Sequence, residues 1–184
     1  MILYQNLEDL LPSPCVLTWG SFDGIHLGHQ HLFEKMRELS PKRSVLTFTN
    51  HPGTVLGRPV TTSICSLEEK LELLEKLQID QVVLIPFTQK LAAMHYIDFL
   101  HLLKRHIGFT HLLFGKGSQF GAGREGDQER LLKRGPIDGF SAHYIDKFHL
   151  NGELVSSSRI REFIESGNIE AAERLLGRPL FSSV

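Results

Sequence analysis

Short apolar runs alternate with helix-period segments along most of this 184-residue chain, and that alternation leaves few folds open. Cys15–Trp19, Ser44–Phe48, Gln81–Pro86, His111–Phe114 and Phe140–Ile145 are compact clusters of β-branched, leucine or aromatic residues. Between them, Gly28–Leu39, Leu67–Leu77, Tyr96–His106 and Asp127–Arg134 carry apolar residues at helical spacing. Runs such as Val82-Val83-Leu84-Ile85 have no polar face, which suits strands covered on both sides. The pattern predicts an α/β fold with a parallel, doubly wound sheet, in which ligands bind beyond the carboxyl ends of the strands. Ser66 and Glu69 form a capping box at the start of the second helix. Two short C-terminal helices follow, Ser157–Ser166 and Asn168–Leu176, divided by Gly167 as the end of one and Asn168 as the cap of the next.

Composition narrows the function classes. The formal net charge of −1 supplies no global field for gripping nucleic acid, so any phosphate recognition must be local. Cys15 and Cys65 are the only cysteines, without metal-ligand spacing, and read as reduced thiols. The amino terminus lacks the pattern of a signal peptide, and no apolar run approaches membrane-spanning length, so a cytoplasmic single domain over 1–184 is expected.

The chemistry concentrates in Thr18-Trp-Gly-Ser-Phe-Asp-Gly-Ile-His-Leu-Gly-His29, which joins a strand end, a glycine-bracketed turn and a helix start. Gly20 and Gly24 permit a tight turn that bares backbone amides, and Gly28 clears the first helical turn for an anion. His26 and His29 are three apart and face one side, where imidazolium rings would neutralise phosphate charge. His31 should point elsewhere, and Trp19 reads as a packing residue.

A second anion site is expected at Val155-Ser-Ser-Ser-Arg-Ile-Arg161, where the hydroxyls of Ser156, Ser157 and Ser158 meet free helix amides. Arg161, one turn in, could fork onto phosphate oxygens. One polyphosphate needs clamping from two sides, which the two sites together would do. The glycine-rich segment from Gly115 to Asp127 fails the dinucleotide spacing and reads as a mobile loop bearing the Phe120 ring and the Arg124 cation. Asn50-His51-Pro52 and Phe87 stand at strand ends on the same edge; a proline-set turn and a core ring are equal readings of them. The loops over 50–65 and 115–126 are long enough to be lids. His95, His101, His106, His111, His143 and His149 lack ligand spacing, and nothing predicts a tightly held metal.

Gly20-Ser-Phe-Asp-Gly-Ile-His-Leu-Gly-His-Gln30 resembles the His-x-Gly-His signature of the nucleotidyltransferase superfamily, and more narrowly that of bacterial FAD synthetases. The likeness continues through Thr47–Pro52, Ser66–Leu71, Ile85–Met94, Phe120–Asp127, Val155–Arg161 and Leu175–Pro179. It implies a Rossmann-like nucleotidyltransferase domain that moves AMP from ATP onto FMN, releasing FAD and pyrophosphate, with Mg²⁺ bound mainly through the ATP phosphates. It also implies that the riboflavin kinase domain of that family is absent from this chain. By the same likeness, His26, His29, Ser157 and Arg161 would be catalytic. Gly20, Ser21, Phe22, Asp23, Gly24, Gly28, Ser156 and Ser158 would join them around ATP. His51, Pro52, Thr62, Phe87, Phe120, Arg124 and Asp127 would hold the flavin. The chain departs from the family pattern at Ser21, Thr49, Gly117 and Ser118, departures that bear on the flavin and the metal more than on ATP. Two alternatives remain open: a nucleotidyltransferase with another small phosphate acceptor, and a nucleotide- or flavin-binding module without turnover.

Overall fold

The computed structural model describes residues 1–58 and 62–180, so residues 59–61 of the expected 50–65 loop lie outside the described residues. A six-stranded parallel sheet runs in the order β1-β4-β3-β2-β5-β6. Its strands are β1 (Ile2–Tyr4), β2 (Val16–Trp19), β3 (Arg43–Phe48), β4 (Gln81–Ile85), β5 (His111–Gly115) and β6 (Ser141–Ile145). A small antiparallel hairpin follows, β7 (His149–Leu150) and β8 (Glu153–Leu154). The helices are α1 (Leu27–Met36), α2 (Pro52–Val55), α3 (Leu67–Lys76), α4 (Gln89–Ala92), α5 (Tyr96–Ile107), α6 (Gln128–Asp138), α7 (Ser157–Glu165) and α8 (Ile169–Leu176). Doubly wound α/β, as expected, describes this arrangement.

Neighbouring residues on each central strand serve opposite faces. Val16, Val45, Val82 and Leu113 pack with Phe33, Met36 and Leu74 of α1 and α3. Leu17, Leu46, Val83 and Leu112 pack on the other side with Phe99, Leu103 and Ile107 of α5. Burial on both faces is the physical reason the strands carry no alternating polar residue. A third apolar cluster unites α7, α8 and the hairpin with Ile64.

Four details differ from the expectation. β1 was not anticipated: it is three residues long, and Ile2 and Leu3 are exposed at the sheet edge. The β7–β8 hairpin turns on Asn151-Gly152, both at positive φ, as a two-residue turn requires. α6 runs past Gly135-Pro136 to Asp138, although Pro136 cannot donate the amide that would bond the Leu132 carbonyl. The short helices α2 and α4 fill segments expected to be irregular.

Order reverses between β2 and β5, the strands that neighbour each other although the chain leaves β2 toward β3. That reversal opens a crevice at the carboxyl ends of β2 and β5, where Gly20 and Lys116 begin the two glycine-rich segments. On the flank, the capping box at α3 is formed in both directions: Glu69 N–H donates to Ser66 Oγ (3.1 Å) and Ser66 N–H to Glu69 Oε2 (2.6 Å). Ser66→Ala should therefore lower the unfolding free energy by about 1 kcal/mol in urea denaturation, with the m-value unchanged.

Candidate active site

Two cavities, each roughly 410 Å³, meet at the crevice and share Trp19, Gly20, Ser21, Phe114 and Ser118. The turn between β2 and α1 forms their common wall. It holds Phe22 (φ 46°), Gly24 (φ 82°) and Ile25 (φ 41°) in the left-handed region, which is unfavourable for the two side-chain-bearing residues and most of all for β-branched Ile25.

The first cavity contains the histidine pair, Gly28 and Ser156. The rings of His26 and His29 stack with centroids 3.6 Å apart and planes at 16°, so the three-residue spacing places both on one side, as expected. His26 caps α1: its Nδ1 accepts the His29 amide at 3.3 Å, which leaves the ring proton on Nε2. His29 lies edge-on to Phe22, and its buried Nδ1 has no hydrogen-bond partner among the described residues.

Burial pushes the His26 pKa down to about 4, and burial with the adjacent His26 holds His29 well below the usual histidine range. The expectation of two imidazolium ions is thus corrected: burial favours the neutral form of each ring. His26 offers one N–H rather than a charge. A polyphosphate entering beside them would raise both pKa values.

The second anion site is built differently from expectation. Ser156 caps α7, accepting from the Arg159 amide at 3.3 Å, and lines the histidine cavity. A Cβ on Gly28 would stand 3.5 Å from the Val155 carbonyl, so the start of α1 and the entry to α7 are neighbours. Ser157, however, donates its hydroxyl to the Asp23 carbonyl at 2.9 Å. Arg161 turns Nη2 to Asp23 Oδ2 at 2.6 Å and Nε to the Thr62 carbonyl at 3.3 Å. The free guanidinium fork expected of Arg161 is therefore already engaged within the protein. Ser158 is exposed and lines neither cavity. Asp23, expected at the nucleotide, is instead a buried anchor whose Oδ1 also accepts the Ile64 amide at 3.0 Å.

The other cavity is aromatic. Trp19 stands edge-on to Phe99, Phe114 and Phe120, and Phe48 is edge-on to Phe87. Pro52, Phe87, Phe120 and Arg124 line it, as do Arg58 and Tyr144, which carried no spacing signal. His51 lines a separate small pocket, Thr62 supplies a carbonyl to Arg161, and Asp127 caps α6. Trp19 does pack, as expected, but it also walls both cavities; its place one residue before Gly20 is the signal that would have shown it. Lys147 and Asp146, at the end of β6, were likewise missed on the histidine side.

The Gly115–Asp127 loop is pinned rather than loose. Phe120 and Gly126 exchange backbone hydrogen bonds (3.2 and 2.9 Å), and Ala122 N–H donates to the Met94 carbonyl at 2.8 Å. His31 lines neither cavity; its ring packs on Phe148, which itself walls the histidine cavity. Cys15 and Cys65 are free and buried, and burial raises both thiol pKa values. Among the described residues no group of three His, Cys, Asp or Glu side chains could hold a metal, and no helix is long and apolar enough to cross a membrane.

The depressed His26 pKa makes stability depend on pH. An unfolded chain binds this proton near pH 6.5 and the folded one only near 4, so the contribution is complete above 6.5 and is lost as pH falls through that window. The loss attributable to His26 should approach about 3 kcal/mol by pH 4. Thermal melts between pH 7 and 4.5 should show the decline, and His26→Asn should make it shallower while the contribution of His29 remains.

The sequence profile of the FAD synthetase family matches residues 9–159. The bifunctional riboflavin kinase/FMN adenylyltransferase of Escherichia coli K12 is 34% identical over 97% of this chain and 60% of its own length. The enzyme of the same description from Haemophilus influenzae is 33% identical over 90% of this chain and 56% of its own. A solved structure described as a macrolide-efflux protein of Streptococcus pneumoniae superposes with a TM-score of 0.83 at 26% identity, covering 97% of this chain and 62% of that one. The chain thus spans about 60% of the length of the curated relatives it matches. With a match over most of its length and the His-x-Gly-His turn at the head of its site, this chain belongs to the FAD synthetase family.

Proposed function

We propose that the chain transfers AMP from ATP to the phosphate of FMN, giving FAD and pyrophosphate. The observation that carries the reading is the meeting of two unlike cavities at Trp19–Ser21. An aromatic chamber suits a flat isoalloxazine ring. A chamber with two histidines beside the starts of α1 and α7 suits a triphosphate.

A phosphate oxygen of FMN attacks the α-phosphorus in line, a new P–O bond forms, and the bond to the β-phosphate oxygen breaks with pyrophosphate as leaving group. The nucleophile is already ionised near neutral pH, so the site needs positioning and charge neutralisation rather than a strong base. His26 donates through Nε2–H, while His29 gains its proton as phosphate charge approaches. Ser157 and Arg161 act as positioning residues, since both grip Asp23 and so fix the turn that bears the histidines. Mg²⁺, when bound with ATP, supplies further neutralisation. The described residues offer it no cage: Asp23 is taken by Arg161 and Ile64, and Asp146 is paired with Lys116 at 2.6 Å. The metal would accordingly be carried on the phosphates.

Incubation with ATP, FMN and Mg²⁺, followed by chromatography, tests the reading directly. FAD should accumulate with equimolar pyrophosphate. Gly117 favours a second reading: it leaves open space where the family pattern has a carboxylate or amide. Under that reading calorimetry would detect FMN or ATP binding while no FAD forms. In the active protein, His29→Ala should reduce kcat by about 10²–10³, comparable to loss of one transition-state donor.

A further inference from the structure

Ser21 borders a third space, a small pocket of roughly 70 Å³ distinct from the two substrate cavities. Asp23, His51, Ser63 and Lys70 are among its walls. Lys70, in the second turn of α3, is only 9% exposed, the same as the apolar Leu73 one turn on. Among the described residues its ammonium has neither a hydrogen-bond nor an ion-pair partner. Among the described residues the sole carboxylate of the pocket is Asp23, and both its oxygens are engaged, one by Arg161 and one by the Ile64 amide.

Two cations thus converge on one anion. His51 does not change the balance, because burial depresses its pKa and leaves it neutral, and burial keeps the Cys65 thiol protonated. What remains is a largely buried lysine whose ammonium lines the pocket without an ion-pair partner among the described residues, and an anion in the pocket would offset the cost of desolvating it. The pocket has a neutral donor ready as well. His51 Nδ1 accepts the Gly53 amide at 3.0 Å, so its Nε2 carries the proton. Lys70 is also electrically connected to the reaction centre, since its charge helps depress the pKa of both His29 and His51.

We propose that Lys70 and this pocket form a phosphoryl-anion subsite opening onto the transfer site at Ser21. A compact ammonium in a space of this size fits one tetrahedral phosphate group, not a ring or a nucleoside. The group comes either from the phosphomonoester of the acceptor or from the pyrophosphate released. The identity of the ligand rests on the adenylyl-transfer reading; the existence of the subsite does not.

The test uses the full chain, Lys70→Met and Lys70→Arg, with thermal melts and calorimetric titration of FMN, riboflavin and pyrophosphate. Lys70→Met removes the charge at similar volume, so its Tm should equal or exceed that of the wild type while anion affinity falls about tenfold. Lys70→Arg should retain most of that affinity. A loss for FMN with riboflavin unchanged identifies the acceptor phosphate, and a loss for pyrophosphate with FMN unchanged identifies the leaving group. Unchanged affinity for every ligand in Lys70→Met overturns the proposal. So does a Lys70→Met chain that melts well below the wild type, which would make Lys70 a structural partner of Asp23. Lys70-dependent pyrophosphate binding without FAD formation would defeat the adenylyl-transfer reading alone; FAD formation with Lys70-independent binding would defeat the subsite alone.

Discussion

The carboxylate of Asp23 is the tie on which the site depends. It is almost wholly buried and receives Arg161 on one oxygen and the Ile64 amide on the other, while its own carbonyl receives the Ser157 hydroxyl. The adjoining Gly24 is held too, its amide on Cys65 Sγ at 3.2 Å and its carbonyl by Arg178 at 2.7 Å. These bonds join the turn after β2 to segments that follow 41 to 154 residues later. Left-handed backbone at Phe22 and Ile25 would relax in an isolated peptide; here the surrounding bonds over-determine it. The consequence is that α1 and α7 begin beside each other, and their two sets of free amides can address one ligand.

Such a tie also explains why part of the site could be read from the sequence and part could not. The histidine pair was legible because three-residue spacing at a helix start fixes which side both rings face. The fate of Arg161 was not, since its partner lies 138 positions away and no local rule connects them. Protonation was equally hidden: an imidazole is charged or neutral according to burial, and burial is a property of the packed fold. Lys70 sits in Leu-Glu-Glu-Lys-Leu-Glu, where it looks like any solvated lysine of a charged helix. Only the packing of α3 against the Asp23 turn buries it.

The fold was more legible than the site, for a related reason. Central strands must hide both faces, so their apolar runs stand out, and the five longest were placed within one or two residues. Strand β1 escaped notice because an edge strand of three residues needs little burial and leaves no periodic trace. The β7–β8 hairpin did leave one, the Asn151-Gly152 pair, but its strands of two residues each are too short to frame it. In α6 the helical spacing is legible only to Arg134, whereas the helix runs on to Asp138. Glycine at 135 serves close packing, since a Cβ there would stand 2.6 Å from the Phe140 carbonyl.

Burial that keeps both histidines neutral carries a mechanistic consequence of its own. A permanently charged pair stacked at 3.6 Å would repel itself and strain the turn that Asp23 holds. Rings that stay uncharged until phosphate arrives avoid that repulsion, and under the proposed transfer proton uptake would become part of nucleotide binding. Charge would then appear beside the leaving group, in a cavity also walled by Trp19 and Phe114. The same aromatic residues border the second chamber, so in the proposed reaction one set of rings would both lower the dielectric around the transferring phosphate and offer a platform for a flat acceptor. Trp19, between the chambers, would thus couple recognition of the acceptor to the electrostatics of the proposed transfer.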